Sequence, residues 1–201
     1  MTGPPLLFYD LGSPYAYLAV ERAERVLGAP PELRPVLLGA IFAARGHGSW
    51  SATPQREAGM AEVERRAAAY GLPPLRWPAD WPPNTLAAMR AAVWADREGL
   101  GAPFARAAFR RAFAEGADLA DPRVLADIAV AVGLDGTALG GAIAAPDVKD
   151  DLRARTEAAF DLGVRGVPTL AVGDRLLYGD DRLDEAQDVA PPERPRPSRA
   201  S

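Results

Sequence analysis

A serine, Ser13, stands at the predicted junction of a strand and a helix, in residues 12–15 (GSPY). Residues 6–10 (LLFYD) are typical of a short buried strand, and a serine followed by proline predicts that a helix begins there. Taken alone, this pattern is explained most simply by Ser13 as a helix cap. A second interpretation is chemical: backbone amides and the helix dipole favour negative charge at this point, so the hydroxyl could stabilise an anion such as a ligand thiolate.

Residues 166–169 (GVPT) are the second candidate, because they place Pro168 just before a predicted strand. A proline there is unusual, since it cannot donate a hydrogen bond to the strand ladder. A cis peptide bond between Val167 and Pro168 would turn the backbone of Val167 outward, where it could pair with an extended ligand. A plain strand-initiating proline is the alternative, and the local sequence does not choose between the two.

The residue types that are missing restrict the chemistry further. The chain has no cysteine, which excludes disulfides, thiolate metal sites and thiol–disulfide exchange by the protein itself. It has one histidine, His47, so the usual histidine-based zinc sites and Ser-His-Asp arrangements are hard to build. We therefore expect no metal, and a chemistry that uses hydroxyls, carboxylates, arginines, backbone amides or a borrowed cofactor.

The overall charge argues against two classes of partner. The 201 residues carry a formal net charge of −4, which does not fit a broad basic surface for nucleic acid or for an anionic membrane. No stretch approaches the roughly 18 uninterrupted apolar residues of a membrane span, and the first residues lack the basic segment of a signal peptide. We expect a cytoplasmic protein that acts on a small molecule and binds neither nucleic acid nor membrane.

The elements around Ser13 form a recognisable unit. A strand at 6–10, a helix at 14–27 and a strand at 33–38 make a β-α-β unit, for which parallel pairing is the expectation. Pro35 lies inside the second strand, and a proline there indicates a strand at the sheet edge or a bend.

The rest of the chain is predicted to be helical and then to return to strands. Six helices are predicted, at about 54–70, 84–98, 103–115, 121–132, 136–144 and 147–162. Asp121, which precedes a proline, is the expected cap of the fourth. Strands at 167–172 and 175–178 then flank a Gly-Asp hairpin turn, and a last short helix begins near Gly179. The sequence predicts one α/β domain over residues 1–189, with a helical insertion at about 45–160, and a disordered Pro-rich tail at 190–201.

Five segments in this order carry a family resemblance: residues 8–18, 34–42, 84–91, 163–169 and 179–183. Together they resemble the 2-hydroxychromene-2-carboxylate isomerase and kappa-class glutathione transferase family, within the DsbA-like branch of the thioredoxin fold. The resemblance implies an α/β, thioredoxin-like fold with an inserted all-helical subdomain. It also implies a homodimer that uses glutathione or another low-molecular-weight thiol.

The resemblance also implies roles for individual residues. Ser13 would hydrogen-bond the glutathione sulfur and keep it as thiolate, and Val167, before Pro168, would pair its backbone with the tripeptide. Asp181, with Asp180 or Arg182, would hold the γ-glutamyl end through charge-assisted hydrogen bonds. The expected walls of an apolar substrate pocket are Tyr15, Tyr17, Phe42 and Trp81.

Four features depart from the family pattern. His47 stands where relatives commonly have an asparagine near the thiol, and Arg56 replaces a lysine that often reaches the glycyl carboxylate. Residues 50–53 (WSAT) differ from an expected Pro-rich loop, and residues 184–188 replace an apolar closing helix. These differences leave the identity of the thiol open.

Three functions fit these features. The first is a thiol-dependent cis–trans isomerase that acts on an enone-type aromatic or polyketide-like intermediate. The second is a kappa-class-like glutathione transferase or peroxidase, with the same thiol site and an electrophilic second substrate. The third is a non-catalytic member of the fold that binds a ligand or partner. The absent cysteines exclude a disulfide oxidoreductase.

Overall fold

The computed structural model describes residues 3–46 and 48–188. Its sheet has four strands, β1 (Leu6–Tyr9), β2 (Glu32–Pro35), β3 (Thr169–Val172) and β4 (Arg175–Tyr178), in the order β2-β1-β3-β4. β1 pairs parallel with β2 and antiparallel with β3. The parallel pairing of β1 and β2 is confirmed, and Pro35 ends a strand at the sheet edge, as its missing N–H group favours.

The helix that follows β1, α1 (Pro14–Leu27), has the predicted bounds. Its buried side chains include Tyr17, Leu18 and Val20, which pack it onto the sheet side of the core. Next in the chain after β2 comes α2 (Leu38–Arg45), which the sequence did not predict.

The strand predicted at 33–38 is therefore too long, and side-chain acceptors explain why. The Leu37 amide donates to Thr156 Oγ1 at 3.0 Å, and the Leu38 amide donates to Asp10 Oδ2 at 2.8 Å. These hydrogen bonds satisfy the two amides outside a strand ladder, so the chain can leave the sheet after Pro35 and begin a helix.

Six further helices lie between β2 and β3 at the predicted places, with ends shifted by a few residues. They are α3 (Arg56–Ala69), α4 (Leu86–Arg97), α5 (Gly101–Phe113), α6 (Pro122–Ala131), α7 (Leu139–Ala144) and α8 (Pro146–Leu162). Asp121 caps α6 as predicted, since its side chain accepts from the Arg123 amide. α4 is central to this group and packs against α5, α7 and α8.

The last element within the described residues is a 3₁₀ segment, Asp180–Asp188, where a short helix was expected. This segment packs against α1, and it buries Leu183 and Ala186. The predicted tail at 190–201 lies outside the described residues. No helix within the described ranges is long and apolar enough to cross a membrane.

Candidate active site

Ser13 caps α1 and also faces a residue that is far away in sequence. Its Oγ accepts a hydrogen bond from the Ala16 amide at 3.2 Å, which is the capping contact, and it donates to the Val167 carbonyl at 3.4 Å. The side chain lies at the carboxyl end of β1, a central strand of the sheet. The second hydrogen bond is long, so the Ser13 hydroxyl can instead donate its hydrogen bond to a stronger acceptor that enters beside it.

The Val167–Pro168 peptide bond is cis. Val167 lies against Ser13 although 154 residues separate them, so the two candidate motifs meet in the fold. The Val167 amide has no hydrogen-bond partner within residues 3–46 and 48–188. An extended ligand can therefore pair with backbone at this position without breaking a contact of the fold.

A cavity of about 450 Å³ opens beside Ser13 and Val167. The first residues of α1, α2 and α4 all border it, so three positive helix ends point toward the same space. Its apolar and aromatic walls are Tyr15, Leu37, Leu38, Phe42, Trp50, Trp81, Leu86 and Tyr178. Three of the four predicted wall residues, Tyr15, Phe42 and Trp81, lie on this cavity.

Tyr17, the fourth predicted wall residue, lies in the core. It is 1% exposed, and its ring stacks on Phe113 with a centroid distance of 5.6 Å. The reason is helical geometry: residues two apart are rotated by about 200° around the axis, so Tyr15 and Tyr17 point in nearly opposite directions. Tyr15 therefore borders the cavity and Tyr17 is buried in the core.

Trp50 and Trp81 form an aromatic wall with Tyr15. The Trp50 ring lies 5.2 Å from that of Trp81 and 6.1 Å from that of Tyr15, between centroids. Trp81 Nε1 donates to the Gly12 carbonyl at 3.3 Å, which ties the wall to the loop that carries Ser13. The sequence-based predictions omitted Trp50, although a tryptophan in place of a Pro-rich loop was a visible signal.

Asp10 forms the polar floor of the cavity, and it too was missed. It is 2% exposed, Oδ1 accepts from the Gly12 amide at 2.9 Å, and Oδ2 accepts from the Leu38 amide at 2.8 Å. Burial raises the pKa of the Asp10 carboxyl, while the Gly12 and Leu38 amides and the Thr85 hydroxyl oppose that shift. One carboxyl group therefore joins the loops that begin α1, α2 and α4.

Gly12 is required where two of these loops meet. A Cβ atom at Gly12 would lie 2.7 Å from Cγ2 of Thr85. Such a contact is far inside van der Waals distance, so a side chain at this position would force the Thr85 side chain to shift.

The three residues expected to hold a γ-glutamyl group have different surroundings. Asp180 is 1% exposed, and its carboxylate already accepts from Arg66 Nη1 and Tyr70 Oη, each at 2.9 Å. Burial raises the pKa of Asp180, while Tyr70 and Arg66 oppose that shift. Both carboxylate oxygens of Asp180 are therefore used in contacts within the fold.

Asp181 and Arg182 lie on the outside of this cluster. The Asp181 side chain is 55% exposed and its carboxylate lies 3.4 Å from Arg66 Nη1. Arg182 is turned toward Glu185, with which it pairs at 2.6 Å. Arg66 connects the cluster to the cavity, since its guanidinium lies 5.4 Å from the Tyr15 ring centroid. Of the three predicted residues, Asp181 is the one with a carboxylate open to a ligand.

Of Arg56 and His47, the two predicted thiol-site residues that differ from the family pattern, the structure describes only Arg56. Arg56 donates from Nη2 to the Trp81 carbonyl at 2.7 Å, and its guanidinium lies 5.8 Å from the Trp81 ring centroid. It therefore supports Trp81 and is not among the residues that line the cavity. His47 lies outside the described residues. No group of residues suited to hold a metal ion occurs within the described ranges.

The match of this chain to a family model defines the class of protein. Residues 6–189 match the family described as DSBA-like thioredoxin domain, and the chain belongs to that family. Among solved structures, a 2-hydroxychromene-2-carboxylate isomerase superimposes with a TM-score of 0.83 at 22% identity, over 92% of this chain and 93% of the other. The cytosolic disulfide reductase DsbM from Pseudomonas aeruginosa with GSH gives a TM-score of 0.58 at 21% identity, over 92% and 94% of the two chains. The predicted DsbA-like thioredoxin fold is confirmed.

Two relatives define the branch of this class. The chain is 33% identical over 188 residues to 2-hydroxychromene-2-carboxylate isomerase of Sphingobium xenophagum, over 88% of this chain and 92% of the relative. It is 28% identical over 195 residues to Glutathione S-transferase kappa 1 of Homo sapiens, over 89% and 86%. The resemblance to the isomerase and kappa-class family is thereby confirmed.

Proposed function

We propose that this protein is a thiol-dependent cis–trans isomerase that uses glutathione or another low-molecular-weight thiol. Its substrate in this proposal is an enone-type aromatic or polyketide-like intermediate. The observation that carries the proposal is the meeting of the Ser13 hydroxyl and the Val167 backbone at the edge of a largely apolar cavity. The 33% identity to an isomerase over most of both chains supports this reaction type.

The residues around Ser13 fit a bound thiolate. The Ser13 hydroxyl proton lies in a long hydrogen bond to Val167, at 3.4 Å, and a sulfur anion is a stronger acceptor than that carbonyl. The amino-terminal end of α1 adds a positive partial charge at the same point. Both effects favour ionisation of a thiol over its neutral form.

The rest of a tripeptide thiol would be held on either side of this point. The unpaired Val167 amide would pair with the peptide backbone of the ligand, in the manner of an added strand. Asp181 would receive the γ-glutamyl ammonium group, and Arg66 beside it would face the neighbouring carboxylate. Asp180 would act indirectly, because its contacts with Arg66 and Tyr70 hold the cluster in place.

When bound, the thiol would supply the nucleophile for reversible addition to the conjugated double bond, which is what would allow that bond to rotate. The protein contributes position and electrostatics. Ser13 and the three helix ends stabilise negative charge, while Tyr15, Trp50 and Trp81 hold the apolar part of the substrate out of water. No group of the chain needs to change its covalent structure.

The kappa-class relative favours a second candidate, a transferase or peroxidase with the same thiol site. The two differ in the second substrate, which would be an electrophile that keeps the sulfur or a peroxide that oxidises it. Parallel assays with an aromatic enone and with a chloronitroaromatic acceptor separate them: isomerisation without loss of glutathione supports the first function, and consumption of glutathione supports the second.

The test of the thiol site is Ser13→Ala, with glutathione binding measured by calorimetry and turnover measured on the enone. We expect turnover to fall about 10²- to 10³-fold, as for loss of one donor to a developing anion. The matched control is Asp121→Ala, which removes another cap that precedes a proline, at the remote start of α6. Each variant should lose about 1 kcal/mol of stability, and only Ser13→Ala should lose activity. Equal activity in the two variants, or no binding of any cellular thiol, would reject the proposed function.

A further inference from the structure

Trp50 has an unusual seat at the edge of the cavity. It begins the short 3₁₀ turn Trp50–Ala52, in which the Ser49 side chain caps the Ser51 amide and Thr53 donates from both its amide and its hydroxyl to the Trp50 carbonyl. These contacts fix the backbone at Trp50. Its ring then lies between those of Tyr15 and Trp81 and borders the cavity.

The ring rests directly on the backbone of α3 at Gly59. A Cβ atom at Gly59 would lie 2.3 Å from Cζ3 and 2.4 Å from Cε3 of Trp50. Glycine is a poor residue for the interior of a helix, because it adds backbone entropy to the unfolded chain. α3 has its glycine at a position where any side chain would push the indole out of its place.

The seat and the two neighbouring rings restrict how the indole can move. Gly59 lies under the six-membered ring, and Trp81 and Tyr15 contact it from two other directions. A rigid aromatic surface loses little conformational entropy when a ligand packs on it. Stacking on such a surface favours flat rings, because a puckered ring cannot bring all its atoms into contact.

We propose that Trp50, held by Gly59, is the specificity-determining wall of the cavity and that it selects a planar conjugated ring in the second substrate. This inference rests on the proposed function in one respect, namely that the cavity beside Ser13 receives the second substrate. It adds the residue that makes the selection: Trp50, held in place by Gly59, distinguishes a flat ring from a puckered one.

The experiment compares two uncharged probes, benzylideneacetone and its cyclohexyl counterpart, which share an enone and differ in whether the ring is flat. Binding is measured by calorimetry without thiol, so that no addition reaction interferes. We expect the native protein to bind the flat probe about five- to tenfold more tightly than the puckered one. In Trp50→Leu and in Gly59→Ala the two affinities should agree within about twofold.

Gly140→Ala is the matched control, because Gly140 lies in α7 and a Cβ atom there meets nothing within 4 Å. It should keep the native preference. Gly59→Ala also guards against a folding artefact, since alanine favours the helix; if Trp50→Leu fails to fold, Gly59→Ala alone decides. Retention of the preference in either folded variant, or no preference in the native protein, would overturn the proposal.

A parallel titration with glutathione keeps this inference separate from the proposed function. Gly59→Ala should bind glutathione as the native protein does, because Ser13, Val167 and Asp181 are unchanged. If the native protein does not bind glutathione or another thiol, the proposed function is rejected. The preference for a flat ring is then still tested by the two probes. If Gly59→Ala keeps both the native preference for the flat probe and native glutathione binding, the proposed role of Trp50 is rejected and the proposed function is not.

Discussion

Two aromatic clusters each include a tyrosine of α1, and they differ in how deeply their rings are buried. The core cluster consists of Tyr9, Tyr17, Phe109 and Phe113, and the cavity cluster of Tyr15, Trp50 and Trp81. Every member of the core cluster is at most 1% exposed. In the cavity cluster Trp81 is also buried, at 4% exposed, whereas Tyr15 and Trp50 are half-buried beside the cavity. The difference shows that burial on all sides gives an aromatic ring a structural role, and burial on one side leaves a face for a ligand.

Trp77 joins the two clusters. Its ring centroid lies 4.7 Å from that of Trp81 and 6.0 Å from that of Phe113. The cavity wall is therefore built outward from the core, through rings that touch edge to face. This continuity explains how a site lined by a loop at residues 50–53 can still have a defined shape.

The largest effect on stability is expected at Tyr17. Tyr17→Ala removes a fully buried ring from the core cluster, and losses of this kind cost about 3–5 kcal/mol of unfolding free energy. Urea denaturation measures it. Tyr17→Phe keeps the ring and should cost far less. Because Tyr17 does not line the cavity, affinity of the folded Tyr17→Phe protein for glutathione should be native, and a weakened affinity would contradict the division between clusters.

Asp10 is a buried polar group beside the cavity, and its replacement should have the second-largest effect on stability. Asp10→Asn leaves one of the Gly12 and Leu38 amides without its acceptor, which should cost about 1–3 kcal/mol. The control is Asp127→Asn, at an exposed position of α6 remote from the cavity. Urea denaturation near neutral pH should show a loss for Asp10→Asn well beyond that of the control. Equal stability would mean that the two amides find other partners.

The same variant has a pH dependence whose sign follows from burial. Burial raises the folded-state pKa of Asp10 above its ordinary value of 3.8, so the folded state holds the proton more tightly than the unfolded state. The contribution of Asp10 to the free energy of unfolding is fully present below its ordinary pKa. That contribution is lost as pH rises through the raised pKa of the folded state. The stability advantage of the native protein over Asp10→Asn should therefore shrink with increasing pH above about 4. An advantage that grows with pH would contradict this assignment.

Tyr15 should show the smallest change in stability and a clear change in binding. Tyr15→Ala removes a half-buried ring, with an expected cost of about 1 kcal/mol. Because Tyr15 supports Trp50, the same variant should weaken binding of benzylideneacetone about fivefold. Calorimetry and urea denaturation of this protein, beside Tyr17→Phe, measure both quantities. A large stability loss without a binding loss would place Tyr15 in the core cluster.

Much of the fold could be predicted because its signals are local. The Ser-Pro start of α1 and the Asp-Pro start of α6 were recognised from capping chemistry, and the hairpin turn between β3 and β4 from its Gly-Asp pair. α2 was missed because its beginning depends on acceptors from Asp10 and Thr156, which lie 28 and 119 residues from the amides they bind. No local pattern carries that information.

The candidate site was predictable in part for the same reason. The junction of Ser13 with Val167 followed from two motifs and a family pattern, since each motif has a recognisable chemistry. The commitment of Asp180 to Arg66 and Tyr70 was not predictable, because it depends on how α3 packs beside the closing segment. Arg56 likewise carries the expected charge, yet its guanidinium is directed to the Trp81 carbonyl.

By itself, the sequence determined the type of chemistry available. A chain without cysteine and with one histidine must borrow a thiol if it is to use one, and Ser13 at a strand–helix junction is suited to stabilise that thiol. Tertiary structure alone decided which side chains line the cavity. Tyr15 and Tyr17 are two residues apart, but the helix turns them in nearly opposite directions. Trp50 enters the wall because Gly59, on another element, has no side chain to keep it out.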